Sequence, residues 1–202
     1  EYKVHQVFLG GEQFTPEFTA LNPNRRIPVL VDDGFVLTES GAILTYLAEK
    51  TGKLMPTDPV ARARAVEMLM FQMASLGPMF GQFLVFAAAW ENKFPEVTNR
   101  YFTEVSRILK VMDTRLQGNA YLAGDEFTIA DVACIPWIRL CAIHPVAADL
   151  PFASNENLVG WWDRVSARPA VKRGLANPQP FADDKQFEGF VNGTKTARVN
   201  GE

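Results

Sequence analysis

The sequence predicts a mixed α/β half followed by an all-helical half, and three observations lead to this fold class. The pattern near the N-terminus has the order strand, helix, hairpin, helix, which is the second half of an α/β unit. The dipeptide Asp33-Gly34 lies between two runs rich in β-branched and aromatic residues, which is a strong hairpin signal. Beyond residue 60, apolar residues recur at three- and four-residue spacing, as amphipathic helices require. We expect an α/β domain at residues 1–52, a linker at 53–59, an all-helical domain at 60–176 and an extended tail at 177–202.

The elements of the α/β half each have a local signal. Residues 2–8 combine β-branched and aromatic side chains and predict a short strand. One strand cannot bury itself, so we expect its pairing partner upstream of Glu1. Thr15 can cap a helix that has Pro16 at its first position. The following elements are predicted: a helix from Thr15 to Leu21, strands Val29–Asp32 and Phe35–Thr38, and a helix from Ser40 to Thr51.

The helical half is predicted as a series of amphipathic helices with recognisable ends. Gly77-Pro78 should break or kink the first of them, because proline removes a backbone donor and clashes with the preceding turn. Thr128 and Asp131 have the spacing of a capping box, which marks the start of a later helix. We expect helices at Val60–Leu76, Met79–Trp90, Val97–Leu116, Thr128–Ile143 and Asn155–Ala167, and a short turn at Pro169–Leu175.

Composition argues against several classes of function. The 20 Lys and Arg residues against 23 Asp and Glu give a net charge of −3, so no nucleic-acid partner is expected. We find no apolar run long enough to span a bilayer and no signal peptide, so we expect a cytoplasmic protein without a membrane partner. The two histidines are too few and too isolated for a metal site or a triad, so no metal cofactor is expected.

The two cysteines, Cys134 and Cys141, are interpreted as buried thiols rather than as a disulfide. They lie in one predicted helix, where about 1.5 Å of rise per residue separates them by roughly 10 Å, beyond disulfide reach. Free cysteines are among the most buried residue types. This usage is typical of a reducing compartment.

The stretch from Asn22 to Gly41 predicts a seat for a small acidic peptide. A proline at Pro28, entering a strand, leaves backbone groups before it unpaired, and an extended peptide could add there as a further strand. The helix that begins at about Ser40 supplies free N–H groups and a partial positive charge for a carboxylate. One element would bind peptide backbone and the other an anionic end.

The sequence resembles the glutathione S-transferase superfamily over both halves. The residues that carry the resemblance are Asn22-Pro23-Asn24-Arg25-Arg26-Ile27-Pro28-Val29-Leu30, Glu39-Ser40 and Phe127-Thr128-Ile129-Ala130-Asp131. Within the superfamily, residues 11–18 and 76–82 are similar to the bacterial nu class, whose members are glutathione-dependent disulfide reductases. The resemblance implies a thioredoxin-like N-terminal domain, incomplete in this sequence, and an all-helical C-terminal domain.

The resemblance also implies how glutathione, as co-substrate, would bind. The Ile27–Pro28 peptide bond would be cis, and the Ile27 backbone would pair with the cysteinyl part of glutathione. Glu39 and Ser40 would hold the γ-glutamyl amine and carboxylate.

Three further residues match positions of the family that lie around glutathione. Gln13 and Arg26 correspond to nu-class positions near the glycyl end, and Arg100 corresponds to an arginine that reaches the site from the helical half. Glutathione carries two carboxylates, which favours a binding role for Arg26. Arg25 is interpreted as a solvated charge, since exposed charges are the rule.

The catalytic group is expected upstream of Glu1. The turn that activates the thiol in this family, with its catalytic Ser, Tyr, Cys, Thr or Asn, lies between a first strand and a first helix that have no counterpart in the sequence. A second substrate would meet a pocket formed by Met79, Phe80, Phe83 and Phe86, with Trp137 as a further candidate. The alternative for this aromatic and methionine stripe is packing in the core or at a dimer interface.

Two functions follow from these expectations. The first is an enzyme that uses the glutathione thiolate for disulfide reduction or for conjugation to a hydrophobic electrophile. The second is a non-catalytic glutathione-binding or scaffold module of the same fold. In either case the resemblance implies a homodimer, with the α/β half of one subunit against the helical half of the other.

Overall fold

The computed structural model describes residues 2–8, 11–90 and 93–177, and it confirms a small α/β part followed by a helical part. The helices are α1 (Pro16–Leu21), α2 (Ser40–Thr51), α3 (Pro59–Phe71), α4 (Gly77–Leu84), α5 (Pro95–Arg115), α6 (Ile129–Ile143), α7 (Glu156–Ser166) and α8 (Pro169–Leu175). The strands are β1 (Val29–Asp32) and β2 (Phe35–Thr38). Short 3-10 turns cover Glu12–Phe14 and Pro145–Ala147, and π-helical segments cover Gln72–Leu76 and Val85–Ala89.

The predicted hairpin forms as an antiparallel pair in which Val29 lies opposite Thr38. Its turn residues Asp33 and Gly34 have φ angles of 49° and 84°. Positive φ at both central positions is what a tight hairpin turn needs, and Gly34 adopts it without a steric penalty. The hairpin packs on α2, the helix that follows it.

Two side chains of α2 hold the end of β1. The Tyr46 hydroxyl donates a 2.7 Å hydrogen bond to Asp32 Oδ2, and Lys50 Nζ forms an ion pair with the same oxygen. The pKa of Asp32 is lowered by these two contacts, mainly by the hydrogen bond from Lys50 and to a smaller extent by the one from Tyr46. These contacts fix the position of α2, and therefore of its N-terminus, relative to the hairpin.

The strand predicted at residues 2–8 does not form. In the described part of the chain β1 and β2 pair only with each other, so residues 2–8 have no neighbouring ladder to complete. The backbone groups of a strand without a partner bond to water, so no inter-strand hydrogen bonds stabilise the extended conformation.

The break expected at Gly77-Pro78 does not occur, because helical structure runs continuously from Pro59 to Ala89. The other expected outcome is a kink, and the π-helical segment just before Gly77 is one of its usual causes. The π-helical segment before Gly77 widens the turn, and the Gly77 N–H donates to the Gln72 carbonyl, five residues back. This extra residue gives Pro78 room at the point where a regular α-helix would clash with its ring.

By length and composition, residues Pro59–Ala88 would suffice to cross a membrane, which corrects the expectation that no such run exists. The helix contributes completely buried side chains to the core, including Leu69, Leu76 and Phe80. Core helices of this kind have the same apolar composition as membrane spans.

The main core lies between the helices of the C-terminal part. Its largest completely buried side chains are Trp161, Phe80, Leu109, Met112 and Ile138. A second, smaller cluster joins the two parts of the chain and consists of Ala48 from α2, Leu69 from α3, and Ile129 and Ala133 from α6. The backbone carbonyl of Leu54 also accepts a 2.9 Å hydrogen bond from Ile129, at the start of α6.

The N-termini of α6 and α7 are each capped by a buried carboxylate. The capping box predicted at Thr128 and Asp131 is present. Asn155 does not cap α7 with its side chain; Asp113 of α5 does so instead, accepting hydrogen bonds from Asn157 N and Leu158 N at 2.9 and 3.2 Å.

The C-terminal predictions have mixed outcomes. Residues 169–175, predicted as a turn, form the two-turn helix α8 with Pro169 at its first position, where proline is well tolerated. The tail prediction falls almost entirely on residues 178–202, which lie outside the described residues.

Candidate functional site

The loop before β1 is organised by the buried side chain of Asn22. Its Oδ1 accepts a 2.9 Å hydrogen bond from Asn24 N, and its Nδ2 donates a 2.7 Å bond to the Arg26 carbonyl. Its own carbonyl accepts from Arg25 N at 2.9 Å. Sequence reasoning assigned no role to this side chain, although Asn before Pro is a known signal for a loop that hydrogen-bonds its own backbone.

This loop presents Ile27 at the surface in front of β1. The Ile27–Pro28 peptide bond is cis, as the resemblance implies. The Ile27 side chain is 47% exposed, and neither its N–H nor its carbonyl has a hydrogen-bond partner within the described ranges. The position therefore offers one donor and one acceptor to an incoming extended backbone.

Glu39 and Ser40 form the start of α2. Glu39 is exposed and has φ 66° and ψ 114°, a conformation that is strained for a residue with a side chain. Unlike α1, α3 and α6, α2 begins without a side-chain cap from any described residue. Its first N–H groups are thus available to an anion.

The remaining predicted binding residues lie in different surroundings. Gln13 is buried, and its Oε1 accepts a 3.2 Å hydrogen bond from Gly11 N. Arg26 is exposed and forms no ion pair with a described residue, while the Arg25 guanidinium lies 5.8 Å from the centre of the Phe14 ring. Both arginines follow Asn22 in the loop that leads to Ile27.

Arg100 is not grouped with these residues. It is exposed on α5, and its Nη1 lies 3.8 Å from Glu104 Oε2 on the same helix. The main packing partners of α5 are α4, α7 and the two π-helical segments, not α2 or the hairpin.

A cleft of about 290 Å³ lies between α2, the π-helical segment and α6. The residues that line it include Pro28, Ser40, Gln72 and Trp137. Most of the remaining wall is aliphatic, as at Ile43 and Val132. A mainly apolar cleft with a few convergent polar groups is typical of a small-molecule site.

The pocket predicted from Met79, Phe80, Phe83 and Phe86 requires correction. Phe80 is completely buried and Phe83 is 4% exposed, so both belong to the core, the alternative that the sequence left open. Met79 packs against the same core, and Phe86 stacks on Tyr101 at a ring separation of 5.8 Å. Trp137 is the one member of the predicted stripe that lines the cleft.

The two thiols of the chain are buried, and burial disfavours their reactive form. Cys134 and Cys141 are both free, and burial raises the pKa of each, that of Cys141 to about 12. The nucleophilic form of a thiol is its thiolate, which such a pKa suppresses at neutral pH. Within the described ranges, no group of three or more His, Cys, Asp or Glu side chains could hold a metal ion.

The chain belongs to the glutathione S-transferase family. The family model for the N-terminal domain matches residues 1–49, and that for the C-terminal domain matches residues 69–169.

Several relatives carry names that concern disulfides and glutathione. The disulfide-bond oxidoreductase YfcG of Escherichia coli is 38% identical over 188 residues, which cover 89% of this chain and 85% of that relative. The chain is also similar to a glutathione transferase family member from Pseudomonas fluorescens, whose crystal structure contains two bound glutathione molecules. The two chains are 37% identical with a TM-score of 0.82, and the match covers 87% of this chain and 82% of that one. A glutathione transferase from Pseudomonas putida, with one glutathione disulfide bound per subunit, is 38% identical with a TM-score of 0.82, and the match covers 88% and 81% of the two chains.

Proposed function

We propose that this protein is an enzyme that binds glutathione and uses its thiolate to reduce disulfides or to attack a hydrophobic electrophile. The observation that carries the proposal is the uncapped N-terminus of α2, with the strained Glu39 beside Ser40. The names and bound ligands of the relatives support the same chemistry.

Glutathione binds extended along the loop and the start of α2 in this proposal. The unpaired Ile27 backbone holds the cysteinyl part, and Glu39 and Ser40 hold the γ-glutamyl amine and carboxylate. The carboxylate meets the partial positive charge of the helix N-terminus. Arg26 and Gln13 lie toward the glycyl end, where a guanidinium can pair with the second carboxylate.

Disulfide reduction then needs no protein cysteine. The glutathione thiolate attacks one sulfur of the substrate disulfide, and a mixed disulfide forms. The other half of the substrate leaves as a thiolate and takes up the proton that glutathione lost when its own thiolate formed. A second glutathione attacks the mixed disulfide in the same way and yields glutathione disulfide and a second thiol. The two electrons come from the two glutathione thiols, which agrees with the burial of Cys134 and Cys141.

Arg100 has the weakest support among the proposed binding residues. We retain it as a candidate on the resemblance alone, since its guanidinium lies beside Glu104 on α5. Substitution of Arg100 by Ala should weaken glutathione binding. An unchanged dissociation constant would remove it from the site.

The test of the enzyme is turnover by the intact protein with glutathione and either hydroxyethyl disulfide or a chlorinated aromatic compound. Turnover with one of them is expected, and a folded protein inactive with both contradicts the proposal. The alternative, a non-catalytic glutathione-binding or scaffold module, would show no turnover, and thermal unfolding with and without glutathione distinguishes its two forms. Ligand at 100 times its dissociation constant should add about 2.7 kcal/mol of stability, and no shift would favour the scaffold.

We also propose that the protein is a homodimer. Apolar side chains are exposed on both parts of the chain, including Val60 and Met70 of α3 and Val31 and Phe35 of the hairpin. Exposed apolar groups in this number favour an interface that covers them. Light scattering should give twice the mass of one chain, and a single-chain mass at micromolar concentration would exclude a stable dimer.

A cytoplasmic location is proposed from the cysteines. Both are free, and neither is close to a described disulfide partner. Free buried thiols are usual in reducing compartments. Cell fractionation should recover the protein with cytoplasmic markers, and recovery with an oxidising compartment would contradict the proposal.

A further inference from the structure

Gln72 is a buried polar side chain to which the described part of the chain supplies no side-chain hydrogen bond. It is 5% exposed, and its amide has no partner among the residues that the structure describes. A buried, unsatisfied amide is costly, so a side chain of this kind calls for a specific reason. Its position in a π-helical segment is a second unusual feature, since such segments occur frequently at functional sites.

The amide of Gln72 reaches the cleft beside Ser40. Gln72 lines the cleft together with Pro28, Ser40 and Trp137. Among the described residues, no fully enclosed side-chain nitrogen or oxygen lacks a partner. The unpaired amide is therefore not sealed in the core, and the cleft is the open space that Gln72 lines.

Gly77 provides the room in which the amide lies. A Cβ atom built on Gly77 would be 2.7 Å from Gln72 Nε2 and 3.3 Å from Cζ2 of Trp137. Real Cβ atoms essentially never come as close as 2.7 Å to another heavy atom, so a side chain at position 77 would push the Gln72 amide away. The π-helical turn that brings Gly77 back onto the Gln72 carbonyl holds both residues in this arrangement.

We propose that Gln72 determines substrate specificity by hydrogen-bonding a polar group that neighbours the S–S bond of the second substrate. This inference rests on the proposed function, because it places the substrate disulfide in the cleft next to bound glutathione. An amide can both donate and accept a hydrogen bond. In disulfides of cysteine the amine nitrogen is attached to the second carbon from sulfur, as is the hydroxyl oxygen of hydroxyethyl disulfide, and the carbonyl oxygen lies one bond further away. The rest of the cleft wall is mainly apolar and suits the carbon and sulfur atoms of such a substrate.

The experiment compares two disulfides of nearly equal size, hydroxyethyl disulfide and diethyl disulfide, which lacks the hydroxyl groups. The intact protein should have a higher kcat/KM for hydroxyethyl disulfide, since a site built to hydrogen-bond a hydroxyl rejects the analogue without it. In Gln72→Met the preference should fall by roughly 10-fold or more, with kcat/KM for diethyl disulfide unchanged or improved. Gln117→Met, at an exposed position after α5, is the matched control and should retain the full preference.

A second variant tests the geometry without removing the amide. Gly77→Ala should displace the Gln72 side chain and lower the same preference, and thermal unfolding of each variant establishes that it is folded. Equal losses of kcat/KM with both disulfides, or an unchanged preference in Gln72→Met, would overturn the role of Gln72. If the unaltered protein turns over neither disulfide, disulfide reduction is not its activity and the specificity role is overturned with it, whereas turnover of the chlorinated aromatic compound would leave the conjugation half of the proposed function standing.

Discussion

The indole Nε1 of Trp161 donates a 2.8 Å hydrogen bond to Oδ1 of Asp131, and both side chains are completely buried. The carboxylate also accepts hydrogen bonds from the backbone N–H groups of Leu122 and Thr128, at 3.0 and 2.9 Å. Burial raises the pKa of Asp131, although these donors act in the opposite direction. One side chain thus joins the start of α6, the preceding loop and α7.

Replacement of Asp131 by Asn should destabilise the protein severely. The new NH₂ group would face backbone and indole donors, so about 2 kcal/mol or more of unfolding free energy should be lost at neutral pH. Urea unfolding measures the loss. Asp163→Asn, at an exposed site on α7, is the matched control and should change stability by less than about 0.5 kcal/mol. Similar midpoints for both variants would contradict this role of Asp131.

Asp113 should make stability depend on pH in the acid range. Burial raises the pKa of Asp113, but hydrogen bonds from Lys110 and from the N–H groups of Leu158 and Asn157 outweigh it, so the pKa lies below its ordinary 3.8. A carboxyl with a depressed folded-state pKa contributes stability above its unfolded pKa and loses it as pH falls through the folded one.

Asp113→Asn should therefore be less stable than the unaltered protein at pH 7, by about 1–2 kcal/mol. This difference in stability should shrink below about pH 4. The carboxyl is protonated first in the unfolded state and, at still lower pH, in the folded state as well. Thermal unfolding at a series of pH values measures it. Asp125→Asn, at an exposed carboxyl, is the control, and a gap for Asp113→Asn that is independent of pH would refute the assignment.

Removal of the Asn22 side chain should loosen the loop that presents Ile27. Asn22→Ala deletes two side-chain hydrogen bonds, to Asn24 N and the Arg26 carbonyl, so we expect a loss of about 2 kcal/mol in stability. Glutathione affinity should fall as well, because the backbone that receives the peptide is no longer held. Asn24→Ala leaves these bonds intact and is the matched control; calorimetric titration distinguishes the two variants.

Glu39→Gln should weaken glutathione binding without an equal loss of stability. Glu39 is exposed and caps no helix with its side chain, so the folded state loses little. Loss of a charge-assisted hydrogen bond to the γ-glutamyl amine should cost about 2 kcal/mol, or roughly 30-fold in the dissociation constant. Glu96→Gln, an exposed acidic residue in the first turn of α5, should bind normally. An unchanged dissociation constant for Glu39→Gln would remove it from the site.

Substitution of Cys141 by Ala should leave glutathione-dependent turnover intact. The pKa of about 12 keeps this thiol protonated at neutral pH, and Cys134 is more deeply buried. Thiol reagents should correspondingly modify the native protein slowly, by a labelling assay, and the denatured protein rapidly. Loss of turnover in a stable Cys141→Ala variant would require a protein thiol in the mechanism.

The elements with strong local signals were predictable. The hairpin followed from Asp33-Gly34, because few sequences adopt positive φ at both turn positions. The start of α6 followed from Thr128 and Asp131, whose side chains satisfy backbone groups only a few residues away. The glutathione seat proposed at Ile27, Glu39 and Ser40 stays a prediction, made from a motif whose parts lie close together in the chain.

Predictions that depended on distant neighbours had different outcomes. The sequence by itself determined where most helices and the hairpin lie, since capping, turn geometry and apolar spacing act over a few residues. Only the tertiary structure decided that Phe80 and Phe83 face the core while Trp137 faces the cleft, because several helices packed together select which side of each is buried. Gln72 illustrates the difference. Its importance depends on a π-helical turn, on the missing side chain of Gly77 and on the approach of α6, and none of these is encoded at position 72 itself.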